Sequence, residues 1–272
     1  MFKISTFEKI ITYVILCILT IVMAGPFVAM VSVSFQAKPV SSPGDWFGTD
    51  LTLKNYIQVL RNSKLSRWFL NSVIITVSVT VCATFLASMG GYVFAKKEFP
   101  GKEFLFWAFM AFMMFPIQAW IIPMFIEMSY LGLVNTYWPF ILSGASSGFG
   151  IFLIRQFIDQ NIPNEIIEAA KIDGASEMQI YFRVVLPLIK PALATLAIFL
   201  FISWWNQFLF PLIMTTTSDM YTLPVGMSVL RGIFGQNVSW SMAATTLALI
   251  PTIVIFVLFQ KYITKGIAID LK

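Results

Sequence analysis

The chain has 272 residues, 58% apolar and only 11% charged, with 18 Lys and Arg against 13 Asp and Glu, a net charge of +5 and a mean hydropathy of +0.82. A soluble domain carries about a quarter charged residues, and no soluble interior of this size hides 27 Phe. Soluble enzyme, disordered tail and nucleic-acid-binding domain are thereby excluded, and an all-α polytopic membrane protein is implied.

A bilayer core takes about 20 mainly apolar helical residues to cross. Charge-free runs predict six membrane helices, near 10–35, 70–95, 104–126, 137–157, 191–213 and 241–262, in a single transmembrane domain over 1–272. The first run is too long for a signal-peptide core, and its Ala24-Gly25-Pro26 is a poor cleavage site, so it counts as a span. Cys17 and Cys82 fall inside apolar runs and read as small buried residues without a disulfide or metal signal. Ala83, Ala87, Gly91 and Ala95 recur every fourth position in the second span, and Gly144 and Gly148 form a GxxxG in the fourth. Such stripes predict close helix packing. With the N-terminus inside, 12 basic residues (Lys3, Lys96, Lys97 and Lys272 among them) are cytoplasmic and 6 are outside, which predicts two cytoplasmic termini.

The segment 159–190, between the fourth and fifth spans, does not fit a simple bundle. Asn161-Ile-Pro-Asn164 ends the preceding helix, and Asn164 is expected to cap a short helix to Ile172 with Glu165 and Glu168 in its first turns. Gly174 stops it as a residue free to turn left-handed. Ser176 and Gln179 form a capping-box pattern, followed by Met178, Tyr181, Phe182 and Val185 on one predicted face. Leu186-Pro187 and Lys190-Pro191 close the unit. The hairpin reads either as an amphipathic loop on the lipid surface or as a docking element for a soluble partner, its acidic tip being ill suited to an anionic bilayer.

Glu168-Ala169-Ala170, then Gly174, then Val184 and Leu186-Pro187 resemble the EAA loop of ABC-transporter permease subunits, with Val184 where Ile is usual. Leu53-Lys-Asn-Tyr56, Phe69-Leu-Asn71-Ser72, Ile122-Pro123, Leu131-Gly-Leu-Val-Asn135-Thr136, Ile172-Asp173-Gly174-Ala175 and Trp205-Asn206-Gln207-Phe208 are similar to the shorter, six-span partner of the maltose-type sugar permeases. The tail from Lys265 to Lys272 departs from that family's usual ending, which removes the basis for a tail contact to the ATPase.

The resemblance implies the type I ABC importer permease fold, with six transmembrane helices, in a bacterial or archaeal cytoplasmic membrane. It implies ATPase coupling through Glu168, Ala169, Ala170, Asp173, Gly174, Leu186 and Pro187. It implies a second, homologous permease as heterodimer partner, two ATPase subunits, an extracytoplasmic solute-binding protein and a sugar or polyol substrate. No GxxxxGK[ST] loop occurs, Gly101-Lys102 being followed by Glu103, so ATP and Mg are expected in the partner ATPase chains, and with no His in the sequence no cofactor, catalytic or metal site is expected in this chain.

A translocation path calls for inward polar side chains. Gln118 lies between Pro116 and Pro123, and Ser203, Asn206 and Gln207 share a face at i, i+3, i+4 with Trp205 flanking it. The same residues would equally serve interhelical hydrogen bonding with a partner permease. The alternative class, a secondary ion-coupled transporter, would need paired ion sites, yet no charge falls near the middle of any span and no internal repeat is visible.

Overall fold

The structure, a computed structural model, describes residues 6–38, 40, 42–234 and 237–268, so Lys3, Lys272 and the end of the tail lie outside the described residues. Two compact units share the chain, Met1–Ser66 with Gly226–Ile253 and Arg67–Val225 with Val254–Lys272.

The first unit begins with α1 (Thr6–Ser34), followed by an isolated antiparallel bridge between Gln36 and Leu51 and by α2 (Lys54–Asn62). Asn55, buried, donates to the carbonyls of Ser34 at 2.8 Å and Gln36 at 2.9 Å, and the Ser34 hydroxyl lies 2.6 Å from that of Tyr56. The Leu53–Tyr56 motif thus pins α2 to the end of α1. Only 6% of the most apolar window of α1 is buried within the chain, so its surface calls for lipid or another subunit. Cys17 is exposed on it and Cys82 is half-buried, which corrects the expectation that both are buried.

The second unit holds α3 (Leu65–Lys96), α4 (Lys102–Met113), α5 (Ile117–Tyr130), α6 (Trp138–Ala145), α7 (Gly148–Asn161), α8 (Asn164–Ile172), α9 (Glu177–Leu188), α10 (Lys190–Trp205) and α11 (Leu209–Met214). α12 (Leu223–Phe234) and α13 (Val238–Ala268) follow, each with residues assigned to both units. Phe7–Ser34, Leu65–Lys96 and Trp138–Asn161 are long and apolar enough to cross a membrane among the described residues.

Two bent helix pairs raise the number of candidate crossings among the described residues to at most five, against the six expected, and several expected spans are broken helices. Lys102–Met113 and Ile117–Tyr130 meet at 98°; between them lies Pro116, which lacks an N–H and disfavours helical backbone at the residue before it. The fourth span breaks at Ser146 and Ser147, where the Ser147 hydroxyl caps α7 by accepting from Gly150 N at 3.0 Å. The fifth stops at Trp205 and restarts at Leu209. A helix running through would set the Pro211 ring against the Gln207 carbonyl; restarting puts Pro211 in a first turn, where its missing N–H costs nothing.

The alanine–glycine stripe packs inside the chain. A Cβ on Gly91 would lie 2.6 Å from Ile154 and 3.0 Å from Arg155 N, and one on Gly150 would lie 2.8 Å from Ala87. Gly144 and Gly148 form no single stripe, because the break between them turns Gly144 toward Val79 and Trp204 and Gly148 toward the Phe109 carbonyl. One buried cluster gathers Ile154, Ile158, Ile180, Val185, Ile189 and Leu196 beneath the 159–190 segment, and another gathers Ile75, Val79, Phe140, Phe210 and Met214.

Candidate functional site: a capped hairpin and a cavity at three helix breaks

The 159–190 segment folds as a helical hairpin, α8 and α9, turned at Gly174. Gly174 has φ +80, and its N–H donates to the Lys171 carbonyl while Ala175 N–H donates to that of Ala170, both at 3.0 Å. This pair of bonds is a Schellman closure, which needs a left-handed residue at that point. Ser176 and Gln179 close the reciprocal box that opens α9: Ser176 N–H donates to Gln179 Oε1 at 2.8 Å, and Gln179 N–H to Ser176 Oγ at 3.4 Å. Asn164 does not cap α8. Pro163 occupies that position, and the Asn164 side chain instead accepts from Lys96 Nζ at 2.8 Å.

The second arm departs from the predicted face. Residues 180–185 form a π turn in which Leu186 N–H reaches back five residues to the Tyr181 carbonyl. Pro187 lacks the N–H that Arg183 would accept and would crowd that carbonyl, and the wider turn relieves both. Ile180, Tyr181 and Val185 consequently point inward, while Met178 is 56% and Phe182 44% exposed.

At the tip Glu168, Ala169, Asp173 and Gly174 are exposed, as is Pro187 beyond it, whereas Ala170 and Leu186 are half-buried against the core. Ile172 stands 86% exposed beside Gly174. Glu177 pairs with Lys97 and lies 3.9 Å from Lys171. The Lys97 hydrogen bond holds the Glu177 carboxyl below the usual range. Burial pulls the Lys97 ammonium down, but its bonds to Glu177 and Tyr92 outweigh that and leave it raised.

The breaks between α4 and α5, between α6 and α7 and between α10 and α11 border one cavity of about 140 Å³, lined by Trp120, Ser143, Ser146, Ser147, Trp204 and Gln207 among others. It adjoins a second of about 330 Å³ walled by Phe109, Phe112 and Phe115 and sharing Trp120, Ser146 and Ser147. Of the path residues expected from sequence, the structure brings only Gln207 to this cavity. Ser203, Asn206 and Gln207 do not share a continuous helix face, because α10 ends at Trp205 and the Asn206 amide donates back to the Ile202 carbonyl at 2.8 Å. Trp205 is buried, its ring 5.9 Å from Phe69 and 5.8 Å from Phe201, and Trp204 takes the cavity wall instead. Gln118 and Ser203 are exposed elsewhere.

Two further motifs act as bolts. Asn71, fully buried, donates to the carbonyls of Asp219 at 2.7 Å and Tyr221 at 2.9 Å and accepts from the Tyr137 hydroxyl at 2.8 Å. Asn135, at φ +63, accepts from the backbone N–H groups of Thr216 and Thr217 at 2.9 and 3.0 Å. Sequence reading missed Trp120, Ser146, Ser147 and Trp204; the adjacent serines inside an apolar run were the available sign of a break.

Residues 83–269 match the family described as binding-protein-dependent transport system inner membrane component. The chain belongs to that family. Among curated members of this permease family, it is 36% identical to the arabinooligosaccharides transport system permease protein AraQ of Halalkalibacterium halodurans, over 80% of this chain and 78% of that one. It is 32% identical to the trehalose/maltose transport system permease protein MalG of Thermococcus litoralis, over 96% of both chains. A chain in the crystal structure of a bacterial ABC transporter that imports the acidic polysaccharide alginate superposes with a TM-score of 0.84 at 25% identity, covering 96% of this permease and 99% of that chain.

Proposed function

We propose that the chain is a membrane-spanning permease subunit of an ATP-driven importer for a sugar or related polyol, contributing half of the translocation path. The observation that carries this is the hairpin: a rigidly capped tip that exposes Glu168, Asp173 and Ile172 in a chain without a nucleotide loop. An acidic tip with a bare isoleucine needs cover that an anionic lipid surface supplies poorly and a cleft in an ATPase subunit supplies well. Glu168 would pair with a base there, Ala169 and Ala170 keep the tip slim, and Gly174 and Asp173 form the turn. Leu186 and Pro187 close the second arm.

The carbohydrate class follows the relatives' arabinooligosaccharides, trehalose and maltose. Broken helices are tolerated at membrane depth where they line a cavity. There Trp120 and Trp204 offer aromatic faces, and Gln207, Ser146 and Ser147 offer amide and hydroxyl groups, as a neutral sugar requires. Gln118, Ser203 and Asn206 remain our candidates for the side turned to the second permease. A heterodimer with a homologous permease, two ATPase copies holding Mg-ATP and an extracytoplasmic binding protein complete the assembly, with both termini cytoplasmic and one domain of six spans. The family and the ABC-transporter match set aside the ion-coupled carrier. Proteoliposomes containing the assembled complex should take up labelled oligosaccharide only with binding protein outside and ATP on the ATPase side. Uptake by this chain alone, driven by an ion gradient, would overturn the assignment.

A further inference from the structure

The contacts between the hairpin and α3 have a role that neither docking nor the cavity assigns. Ser88, Tyr92 and Lys96 recur every fourth residue at the end of α3 and so share one helix face. That face touches both arms. Lys96 Nζ donates to Asn164 Oδ1 at 2.8 Å on the first arm. On the second, the Tyr92 hydroxyl donates to Glu177 at 3.3 Å, the Tyr92 and Tyr181 rings lie 5.7 Å apart, and the hydroxyls of Ser88 and Tyr181 are 2.5 Å apart. Lys97 adds its ion pair to Glu177 and sits 5.2 Å from the centre of the Tyr92 ring. Ser88, Tyr92 and Tyr181 are buried, where breaking a hydrogen bond leaves an unsatisfied group.

A hairpin held only by its two chain ends would swivel under load. Contacts from one helix to both arms remove that freedom. On its neighbouring face α3 presses on α7 at Ala87 and Gly91, too tightly to slide without repacking, and α7 begins at the cavity, next to Ser147. We propose that the last turns of α3 are the rod that takes up the hairpin's displacement: hairpin and α3 move as one body and carry α7 with them, with Ser88, Tyr92, Lys96 and Lys97 as positioning residues. This rests on the reading that the hairpin docks an ATPase.

The test uses the assembled complex with Cys17 and Cys82 replaced by serine. Lys96→Cys and Asn164→Cys are joined by a short bifunctional methanethiosulfonate, and ATP-driven uptake is measured before bridging, after it and after reduction. One-body motion predicts that the bridged complex keeps most of the unbridged rate. Uptake that stops on bridging and returns on reduction would show that hairpin and α3 part during the cycle, overturning the rod. In parallel, Lys97→Glu and Glu177→Lys should each lower uptake per ATP hydrolysed by roughly tenfold, and the double exchange should restore it. Wild-type coupling in both single variants, or no recovery in an assembled double variant, also overturns it. Should a charge variant fail to assemble, Tyr181→Phe, which deletes only the bond to Ser88, replaces it; unchanged uptake per ATP there counts against the rod. Docking is judged separately: if bridging stops uptake while Glu168→Lys also abolishes it, the rod falls and docking stands.

Discussion

Replacing Gly174 isolates the backbone cost of the turn at the hairpin tip. Its φ is +80, yet a Cβ built there meets nothing within 4 Å, so an alanine suffers no neighbour contact and only the left-handed strain. That strain is about 1–2 kcal/mol, which corresponds to a roughly 5–30-fold rise in local opening. Asparagine tolerates the left-handed region better than other residues with side chains, and should fall between glycine and alanine. Proline cannot reach φ +80 and also removes the N–H that Gly174 donates to the Lys171 carbonyl at 3.0 Å, a loss of about 3 kcal/mol or more. Amide hydrogen exchange at Ala175, whose N–H closes the turn on the Ala170 carbonyl, reports this opening in the purified complex, and uptake assays report its consequence. The expected order of damage is Asn, Ala, Pro. An alanine variant whose Ala175 exchanges as slowly as the wild type, or an asparagine variant as damaged as the proline one, would refute the reasoning.

Glu168→Lys should leave the chain inserted but abolish uptake, since the side chain is exposed at the tip; wild-type uptake in an assembled complex would remove its docking role. Asn71→Leu should lower the thermal midpoint of the complex, at a cost of about 2–4 kcal/mol, because it deletes three hydrogen bonds of a buried amide; an unchanged midpoint would show that the Asp219–Tyr221 loop is held otherwise. The Glu177 contacts should depend on pH in a defined way. Glu177 is faced by Lys97, Lys171 and the Tyr92 hydroxyl, and its folded pKa is lowered, so its contribution is full above the ordinary carboxylate value of 4.5 and fades as pH falls through the depressed one. The raised pKa of Lys97 makes its contribution full below 10.5 and lost as pH rises through the higher value. Hairpin exchange, corrected for intrinsic rates, should be flat through neutrality and accelerate in acid, with Glu177→Gln removing the acid limb; a wild-type slope at neutral pH would contradict this.

The hairpin was legible because its determinants are local. A glycine turn, a Ser–Gln box and closing prolines act over three to six residues, and the structure realises the turn and the box as their spacing implies. Even there Asn164 and the Met178–Phe182 face went astray. Lys96, distant in sequence, claims the Asn164 amide, and ahead of Pro187 the helix widens into a π turn over 180–185, which leaves Met178 and Phe182 exposed.

Composition and apolar run length determined by themselves that the chain is helical and membrane-bound, since both measure only how much surface must leave water. The cavity depended on tertiary structure. Which side chains face it follows from where three spans break, and a break changes the phase of everything after it. Trp204 and Trp205 are adjacent, and about 100° of helical rotation separates them; packing against Phe69 of α3 takes the second and leaves the first at the cavity. No periodicity within one span contains that choice, because it is made by the helices that the span meets.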